Sequence, residues 1–298
     1  RHAMLTLHHH DSPRRFLDRA EAWLLDREIE CATALQSARN ARDNDAFYER
    51  PTYWATVQDG DSVIGCCYRT PPYLVGVTAL PDDAVPTLIA DLAATYPSIS
   101  GFSGPETTAT VLAKVWSAYK GGNWQIKSRQ RLLALPAKPA RREAPGVLRL
   151  AGRNELALAQ SWGAALSLDS RGTPFDGTFC AKLAAAKRLY FWVDDQPRCM
   201  VGVLRESSRF AAVGLVYTPA TYRGQGFATV ALTALQHLFI ERGIERAYLY
   251  VDPASDAATG LGKALGGTLV HDEVRSEEHT SELQSHHDLV CRLLLEKK

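Results

Sequence analysis

The sequence predicts a mixed α/β protein made of two similar halves, each with a central sheet flanked by helices. Stretches with strand-like alternation and stretches with helical periodicity follow one another along the whole chain. A hairpin predicted at residues 54–65 has a counterpart at residues 191–202, about 140 residues later, which indicates two copies of one domain rather than a solenoid of short repeats. The Pro-rich, charged residues 137–146 are the predicted linker.

The first half begins with a predicted strand at residues 5–9 and a helix that ends near Asp26. Ser12 can cap this helix, and Pro13 suits its first turn. Hydrophobic patterning predicts the rest, in order: a helix at 27–42, strands at 54–57 and 62–69, a strand at 73–79, helices at 81–95 and 108–119, and a strand at 124–135.

The second half repeats this plan. Its predicted elements are, in order: a strand at 147–150, helices at 154–166 and 174–186, strands at 190–194 and 198–206, a strand at 211–217, a helix at 227–242, a strand at 246–251, a helix at 254–265 and a strand at 268–274. Asn154 is the expected cap of the first helix, and Gly243 is expected to end the long helix after Arg242.

Composition narrows the classes of function. The chain has 298 residues, of which 46% are apolar and 22% charged, and its net charge is +1. This balance is typical of globular domains and gives no field that would favour nucleic acid or a membrane surface as a partner. No apolar run approaches the ~20 residues of a membrane span, and no secretory signal is visible, so we expect a cytoplasmic protein. The six cysteines show no C-x-x-C pair and are expected to be reduced and buried.

Three consecutive histidines, residues 8–10, suggest a metal site at first sight. Neighbouring side chains in a strand point to opposite faces, so the three rings do not converge on one ion. We therefore predict no metal.

The most informative stretch is the loop between the strand at 211–217 and the helix at 227–242. It contains Gly224 and Gly226, which let the backbone turn tightly with its N–H groups facing inward. Arg223 adds a positive charge, and no acidic residue lies in the first turn of the helix. Free N–H groups at a helix start bind anionic oxygens, which suits a pyrophosphate. The loop lacks the Lys-Ser/Thr pair of a P-loop and the glycine spacing of the dinucleotide fingerprint.

The run of residues 223–228 fits the Arg/Gln-x-x-Gly-x-Gly/Ala loop of the GNAT superfamily of N-acetyltransferases, and the flanking residues 216–219 and Thr229 resemble that family too. The resemblance is clear over residues 147–274 and weaker over residues 1–136. The whole plan is similar to tandem GNAT enzymes with a degenerate first domain. The expected domains are therefore 1–136, a GNAT-like domain without the phosphate loop, and 147–274, an acetyl-CoA-binding domain, joined by residues 137–146.

The resemblance implies an acetyl-CoA-dependent N-acetyltransferase in which a primary amine attacks the thioester directly, without an acyl-enzyme. The strands on either side of the long helix would splay apart, pantetheine would pair with the backbone of the first strand, and the loop amides would hold the pyrophosphate. The residues implied in coenzyme binding are Leu215, Val216, Tyr217, Thr218, Arg223, Gly224, Gln225, Gly226, Phe227, Ala228 and Thr229.

The general base is harder to identify, because the strand at 211–217 lacks the Glu that family members often carry there. Glu206 is one candidate, although a solvated strand end is the favoured interpretation. Asp252 is the other, although it can instead cap the following helix. The Tyr that protonates the leaving thiolate in many members is missing from residues 255–263. Tyr217 and Tyr222 are the nearest phenols, and packing roles are expected for both. No His partner that would make Cys199 a nucleophile can be identified from the sequence.

Two hypotheses about the function remain open. The first is acetyl transfer to a small-molecule amine or a peptide N-terminus, by a monomer or homodimer. The second, favoured by the missing Glu and Tyr, is a non-catalytic module that binds or senses acyl-CoA. In both readings the first half is not expected to bind coenzyme A, because Asp82 and Asp83 occupy its equivalent helix start and would repel a phosphate.

The amino-acid sequence of the last segment, residues 275–298, is unlike that of the rest of the chain. Its sequence resembles the translation of a common sequencing adapter, so we interpret it as a tail outside the natural protein and give its Cys and His residues no functional weight. Residues 288–295 are apolar enough to be predicted as an accidental strand.

Overall fold

The computed structural model describes residues 5–140, 142–169 and 178–278. The chain divides into two compact units. Unit 1 runs up to Arg129 and resumes at Glu273, whereas unit 2 comprises Gln130–Asp272. The boundaries of the units fall within two strands, β6 and β12, so each of these strands contributes residues to both units.

The elements of unit 1 are, in order: β1 (Leu5–His9), α1 (Pro13–Asp26), α2 (Ala32–Asp43), β2 (Tyr53–Asp59), β3 (Ser62–Arg69), β4 (Val75–Val77), α3 (Val85–Thr95), β5 (Gly101–Pro105), α4 (Glu106–Lys120) and the first part of β6 (Trp124–Ala134). The start of α1 follows the prediction, because the Ser12 side chain accepts a hydrogen bond from the Arg15 amide and Pro13 opens the first turn.

The sheet of unit 1 is mostly antiparallel. β1 pairs with β2, β2 with β3 and β3 with β4 in antiparallel fashion, while β4 and β5 are parallel. Residues 273–277 of β12 extend the sheet antiparallel to β5. One face packs against α3 and α4 around Leu88, Phe102 and Leu112, and the other packs against α1 and α2 around Phe16 and Trp54.

The elements of unit 2 are, in order: the last part of β6, β7 (Val147–Leu150), α5 (Leu156–Asp169), α6 (Thr178–Ala185), β8 (Leu189–Asp194), β9 (Gln196–Glu206), β10 (Phe210–Tyr217), α7 (Phe227–Glu241), β11 (Arg246–Val251), α8 (Asp256–Ala264) and the first part of β12 (Thr268–Glu278). β7, β8, β9 and β10 pair successively in antiparallel fashion, β10 and β11 are parallel, and β11 pairs antiparallel with β6.

The sheet of unit 2 separates two apolar clusters. On one face, α7 packs through Ala231, Leu235 and Phe239 against the strand residues Val201 and Val213. On the other face, residues of α5 and α6 pack against Phe191 and Met200 among others. The mixed α/β fold, with parallel and antiparallel strands flanked by helices in each unit, is therefore confirmed. None of the helices in the described residues is long and apolar enough to cross a bilayer.

The structure differs from the prediction in several elements. β5 was not predicted, because its sequence GFSGP contains two glycines and a proline, which are rare in strands. The predicted helix at 27–42 begins only at Ala32, after a turn. The helix predicted from Asn154 starts instead with a 3₁₀ turn, in which Glu155 accepts a hydrogen bond from the Gly152 amide.

The strand β6 does not simply close the first half, because its residues 131–134 pair with β11 of unit 2. The strand β12 continues beyond the predicted end at Val274 to Glu278, so the first residues of the adapter-like segment are paired with β5. The strand predicted at residues 288–295 lies outside the described residues. The origin of the segment and the domain limits stay predictions.

Candidate functional site

The parallel strands β10 and β11 separate at their carboxyl ends. Their pairing runs from Phe210 opposite Arg246 to Val213 opposite Leu249 and then stops, although β10 continues to Tyr217. Beyond Val213, the edge of β10 that faces β11 has no strand partner in the described residues. Unpaired backbone N–H and C=O groups at such an opening can bind an extended ligand in the way that a sheet edge binds a strand.

A β-bulge shapes β10 at this opening. Gly214 pairs with Gly202 and Tyr217 with Met200, so two intervening residues of β10 face one residue of β9. Leu215 has the positive φ of 52° that accompanies the distortion. The bulge determines the face of the sheet on which each following side chain lies. Val216 packs in the cluster on the α7 side, whereas Leu215 and Tyr217 pack in the cluster on the α5 side.

The loop after β10 depends on two left-handed glycines. Gly224 has φ of 75° and Gly226, the N-cap of α7, has φ of 82°. A Cβ at either position would meet no atom within 4 Å, so the space in front of both glycines is open. Both residues are exposed. The glycines are therefore required by the backbone conformation and not by crowding, and a ligand can approach the main chain closely there.

The N–H groups of residues 224–229 point to an anion-binding role. The first hydrogen bond of the helix is made by the Val230 amide to the Gly226 carbonyl, at 3.1 Å. No acceptor for the amides of residues 224–229 is found among the residues that the structure describes, and Gly226 provides no side-chain cap. No acidic residue lies in the first turn of α7. The positive end of the helix dipole is thus open to a negatively charged ligand.

Arg223 lies beside these amides with two of its donors engaged. Its Nε donates to the Thr218 carbonyl at 2.9 Å and its Nη2 donates to Asp169 Oδ2 at 2.6 Å. The guanidinium carbon lies 5.7 Å from the centre of the Tyr217 ring. These contacts hold the guanidinium at the mouth of the loop. Asp169 was not singled out by the sequence, because it lies on α5, far from the loop along the chain.

The other residues predicted to bind the coenzyme make contacts that stabilise the loop and the start of α7. Gln225 donates through Nε2 to the Thr221 carbonyl, at 3.3 Å. Phe227 and Ala228 are half-buried against the cluster under α7. The Thr229 carbonyl accepts a hydrogen bond from the Thr233 hydroxyl, at 2.8 Å. The structure thus brings the eleven predicted coenzyme-binding residues into one continuous strand end, loop and helix start.

Glu206 is not brought to this site. It pairs with Ala211 near the beginning of β10, six residues before Tyr217, which corresponds to about 20 Å along the strand. Its carboxylate lies 3.9 Å from Arg242, which follows the far end of α7. Glu206 therefore lies at the end of a strand, away from the opening, and we do not assign it as the general base.

Asp252 lies directly after β11, at the end of the sheet where β10 and β11 separate. Its Oδ1 accepts a hydrogen bond from the Ala254 amide at 2.8 Å, which closes a turn. The cap of α8 is Ser255, whose hydroxyl accepts from the Ala258 amide at 3.2 Å. Asp252 therefore has one carboxylate oxygen engaged and lies near the opening.

Cys199 is fully buried on β9. Burial raises the pKa of its thiol to about 12, so the reactive thiolate is scarce near neutral pH. This environment does not suit a nucleophile. No group of three His, Cys, Asp or Glu side chains in the described parts of the chain could hold a metal ion. His8, His9 and His10 contact three different partners, Thr6, Asp91 and Thr56.

The corresponding place in unit 1 has a different geometry. The parallel strands β4 and β5 stay close, since a Cβ at Gly104 would overlap the Val77 carbonyl. The helix α3 follows a 3₁₀ turn that carries Asp82 and Asp83, and this turn contains no glycine. Unit 1 therefore lacks both the opening and the free, uncharged helix start of unit 2. The close approach of β4 and β5 had no sequence signal.

Comparisons with known proteins agree with this geometry. Residues 163–266 match the model of the acetyltransferase (GNAT) family. No curated protein sequence matches the chain. Among solved structures, an acetyltransferase of the GNAT family from Colwellia psychrerythraea is 14% identical, with a TM-score of 0.58 over 92% of this chain and 100% of that one.

Two further structures are similar over nearly the whole chain. A GCN5-related N-acetyltransferase from Sphaerobacter thermophilus is 14% identical, with a TM-score of 0.57 over 92% of this chain and 95% of that one. A tandem GNAT protein from the clavulanic acid biosynthesis pathway is 10% identical, with a TM-score of 0.50 over 92% of this chain and 98% of that one. These likenesses support the fold, and the family match covers the loop and both splayed strands. Residues 163–266 are thus similar in sequence to acetyltransferases of the GNAT family, and the chain has the fold of solved structures of that kind.

Proposed function

We propose that unit 2 binds acetyl-CoA in the opening between β10 and β11 and transfers its acetyl group to a primary amine. The observation that carries this proposal is the coincidence of two features in one place: strands that stop pairing at Val213 and Leu249, and a helix start whose amides have no acceptor in the described chain. Acetyl-CoA matches both features. Its extended pantetheine arm can pair with the unpaired strand, and its diphosphate can accept hydrogen bonds from the free amides.

The proposed binding mode assigns a role to each part of the site. The amides of residues 224–229 would hold the diphosphate, with the Arg223 guanidinium as a positive group at the edge. The backbone of residues 215–218 would hydrogen-bond the amide groups of the pantetheine arm. The bulge at Leu215 exposes main-chain groups at this point, and the N–H of Val216 or Tyr217 would polarise the thioester carbonyl.

The proposed chemistry is a direct attack. The amine nitrogen forms a bond to the carbonyl carbon, the carbon–sulfur bond breaks, and the products are an acetamide and the coenzyme thiol. Such a reaction needs mainly positioning and stabilisation of the carbonyl oxygen as it gains charge. The buried Cys199 thiol is not required, because no acyl-enzyme forms.

Three proton transfers are needed in this scheme. The ammonium form of the amine loses one proton before attack, the nitrogen loses a second as the amide forms, and the leaving thiolate gains one. Asp252, at the end of β11, is the proposed acceptor of the amine proton, directly or through water. Its free carboxylate oxygen is available, since the Ala254 amide occupies the other one. The thiolate would be protonated by solvent or by Thr259 on α8.

The proposed acceptor is a small-molecule amine or a peptide N-terminus. The nearly neutral charge of the chain argues against an acceptor carried on nucleic acid. An alternative is that the domain binds or senses acyl-CoA without turnover. Two absences in the sequence favour this alternative: β10 carries no carboxylate, and α8 carries no tyrosine that could protonate the thiolate.

Calorimetric titration of the whole chain with acetyl-CoA, followed by release of free thiol over a panel of amines and peptides, separates the possibilities. Binding together with thiol release on any amine supports the transferase. Binding without release on any amine supports the sensing module. Failure to bind either acetyl-CoA or coenzyme A contradicts both readings, since both need the diphosphate to be held by residues 224–229.

A further inference from the structure

The start of β9 contacts Tyr222, which directly precedes the loop of residues 223–226. This residue ends the short 3₁₀ turn immediately before Arg223. Its Oη accepts a hydrogen bond from Gln196 Nε2 at 3.0 Å. The guanidinium carbon of Arg198 lies 4.4 Å from the centre of the Tyr222 ring. Two side chains from one hairpin therefore bind the hydroxyl and the face of one ring.

The same ring also contacts the helix that follows the loop. The Tyr222 and Phe227 rings lie 6.4 Å apart, nearly perpendicular to each other, in an edge-to-face arrangement. Phe227 is the first residue of α7. Tyr222 and Phe227 thus bracket the four residues, 223–226, that carry the glycines and the arginine. A fixed distance between these two rings restricts the conformations of a segment that would otherwise be flexible.

Arg198 is itself held in place. Its Nε donates to the Asp194 carbonyl at 3.1 Å, and the Asp194 carboxylate lies 3.9 Å from it. Only 18% of the Arg198 side chain is exposed, so its contact with the ring is shielded from water. A cation over an aromatic face is worth more when it is desolvated. The turn closes tightly because Asp195 adopts a positive φ of 56°.

We propose that Arg198 and Gln196, at the start of β9, act through Tyr222 as positioning residues for acetyl-CoA. They fix the loop so that the amides of residues 224–229 face one point, where the diphosphate binds, and they lower the entropy lost when the loop becomes ordered around it. None of the three residues has to touch the acetyl group or the amine. This inference rests on the proposed function of unit 2.

The proposal predicts an effect on coenzyme binding that is separate from catalysis. Replacing Tyr222 by Ala should weaken acetyl-CoA binding about tenfold or more, because the ring contacts are lost together. Tyr222→Phe should weaken it about twofold, since only the hydrogen bond to Gln196 is removed. Arg198→Met keeps the packing of the stem and removes the charge, and should weaken binding by about three- to tenfold.

The test is calorimetry with acetyl-CoA combined with steady-state kinetics on these variants. The apparent KM for acetyl-CoA should rise while kcat and the KM for the amine stay within about twofold of the wild type. The double variant Tyr222→Ala/Arg198→Met should bind no worse than Tyr222→Ala alone, since the two residues act through one contact. The matched control is Arg149→Met, which removes another paired arginine of unit 2, bound to Glu155.

The outcomes are distinguishable. A wild type that binds acetyl-CoA while Tyr222→Ala and Arg198→Met bind it equally well overturns the positioning role alone. So does an additive loss in the double variant, or an equal loss in Arg149→Met. A wild type that does not bind acetyl-CoA overturns the proposed function, and the positioning role with it.

Discussion

Arg223 donates a hydrogen bond to Asp169 at 2.6 Å, so the one cation in the loop of residues 218–226 already has an anionic partner. Both side chains are about half exposed, at 48% and 50%. An exposed ion pair of this kind contributes little to stability, roughly 0.2–1 kcal/mol, and is weakened by salt. The pair can therefore be exchanged for contacts with a phosphate at little cost. In the proposed binding mode, Asp169 would compete with the coenzyme for the guanidinium.

The first prediction concerns this competition. Asp169→Asn should strengthen acetyl-CoA binding by about two- to fivefold at low salt, because it removes a negative charge beside the diphosphate and releases Arg223. The gain should shrink as salt is raised. Calorimetry at two salt concentrations measures both effects. Glu245→Gln is the control, since it removes an exposed negative charge just before β11, where the β10–β11 pairing begins and not where it ends. Weaker binding by Asp169→Asn would mean that Asp169 orients Arg223 instead.

The second prediction concerns the glycine at the helix start. Gly226→Asp should weaken acetyl-CoA binding more than tenfold, because the carboxylate lies where the diphosphate is proposed to bind and the residue has a positive φ. Gly226→Asn carries the same shape without the charge, and its loss of binding should be smaller. Gly243→Asp is a matched control: it has φ of 80°, nothing within 4 Å of its Cβ, and a position just beyond the other end of α7. Equal losses at residues 226 and 243 would attribute the effect to strain.

The start of α7 and the conformation of the loop before it could be predicted from the sequence for a local reason. The glycines, the absence of acidic residues and the amphipathic helix are signals within one stretch of chain, so α7 was predicted to start at its observed first residue, Phe227. The gap between β10 and β11 was expected only from the family resemblance. Asp169 and Arg198 could not be assigned to the loop, because their contacts with Arg223 and Tyr222 depend on how distant segments pack.

The elements that the sequence missed share a different cause. β5 is a strand because it pairs with β4 and β12, and not because of its own composition. A Cβ at Gly101 would overlap the Ser276 carbonyl, so the glycine that argues against a strand locally is needed for this pairing. Tertiary contacts override weak local propensity here. The boundary between the two units within β6 likewise leaves no signal in its residues.

The third prediction tests whether an acyl-enzyme forms. Cys199→Ala should retain at least about half of the wild-type kcat, since burial raises the pKa of this thiol to about 12 and the proposed reaction bypasses it. Mass spectrometry of wild-type protein quenched after mixing with acetyl-CoA alone should show no acetylated chain. An acetylated Cys199, or loss of turnover in Cys199→Ala with coenzyme binding intact, would contradict direct attack.

The fourth prediction concerns the pH dependence of stability through His10 in unit 1. The His10 ring lies 3.0 Å from the Thr56 hydroxyl, which also accepts a hydrogen bond from Gln58 Nε2. The pKa of His10 is lowered, chiefly by burial and further by the charges of His8, His9 and Arg19, while Asp11 opposes the shift. The unfolded chain therefore takes up the proton first as the pH falls below about 6.5, so the free energy of unfolding should decrease there.

Urea unfolding of wild type and His10→Gln at pH 8 and at pH 5 checks this sign. At pH 8 the difference between the two proteins reflects only the altered contacts. At pH 5 the wild type should lose more of its stability than the variant, because Gln does not titrate. A difference between the two proteins that is the same at both pH values would show that His10 does not contribute to the pH dependence.

The fifth prediction is that each chain binds one molecule of acetyl-CoA. Two features of unit 1 oppose binding: Asp82 and Asp83 at the start of α3, and the close approach of Gly104 to the Val77 carbonyl. The second feature is steric, so the double variant Asp82→Ala/Asp83→Ala should still bind a single coenzyme although the repulsive charges are gone. Calorimetry gives the stoichiometry directly. A second bound coenzyme in the wild type would contradict both arguments, whereas a second one only in the double variant would show that charge alone keeps unit 1 empty and that β4 and β5 can separate.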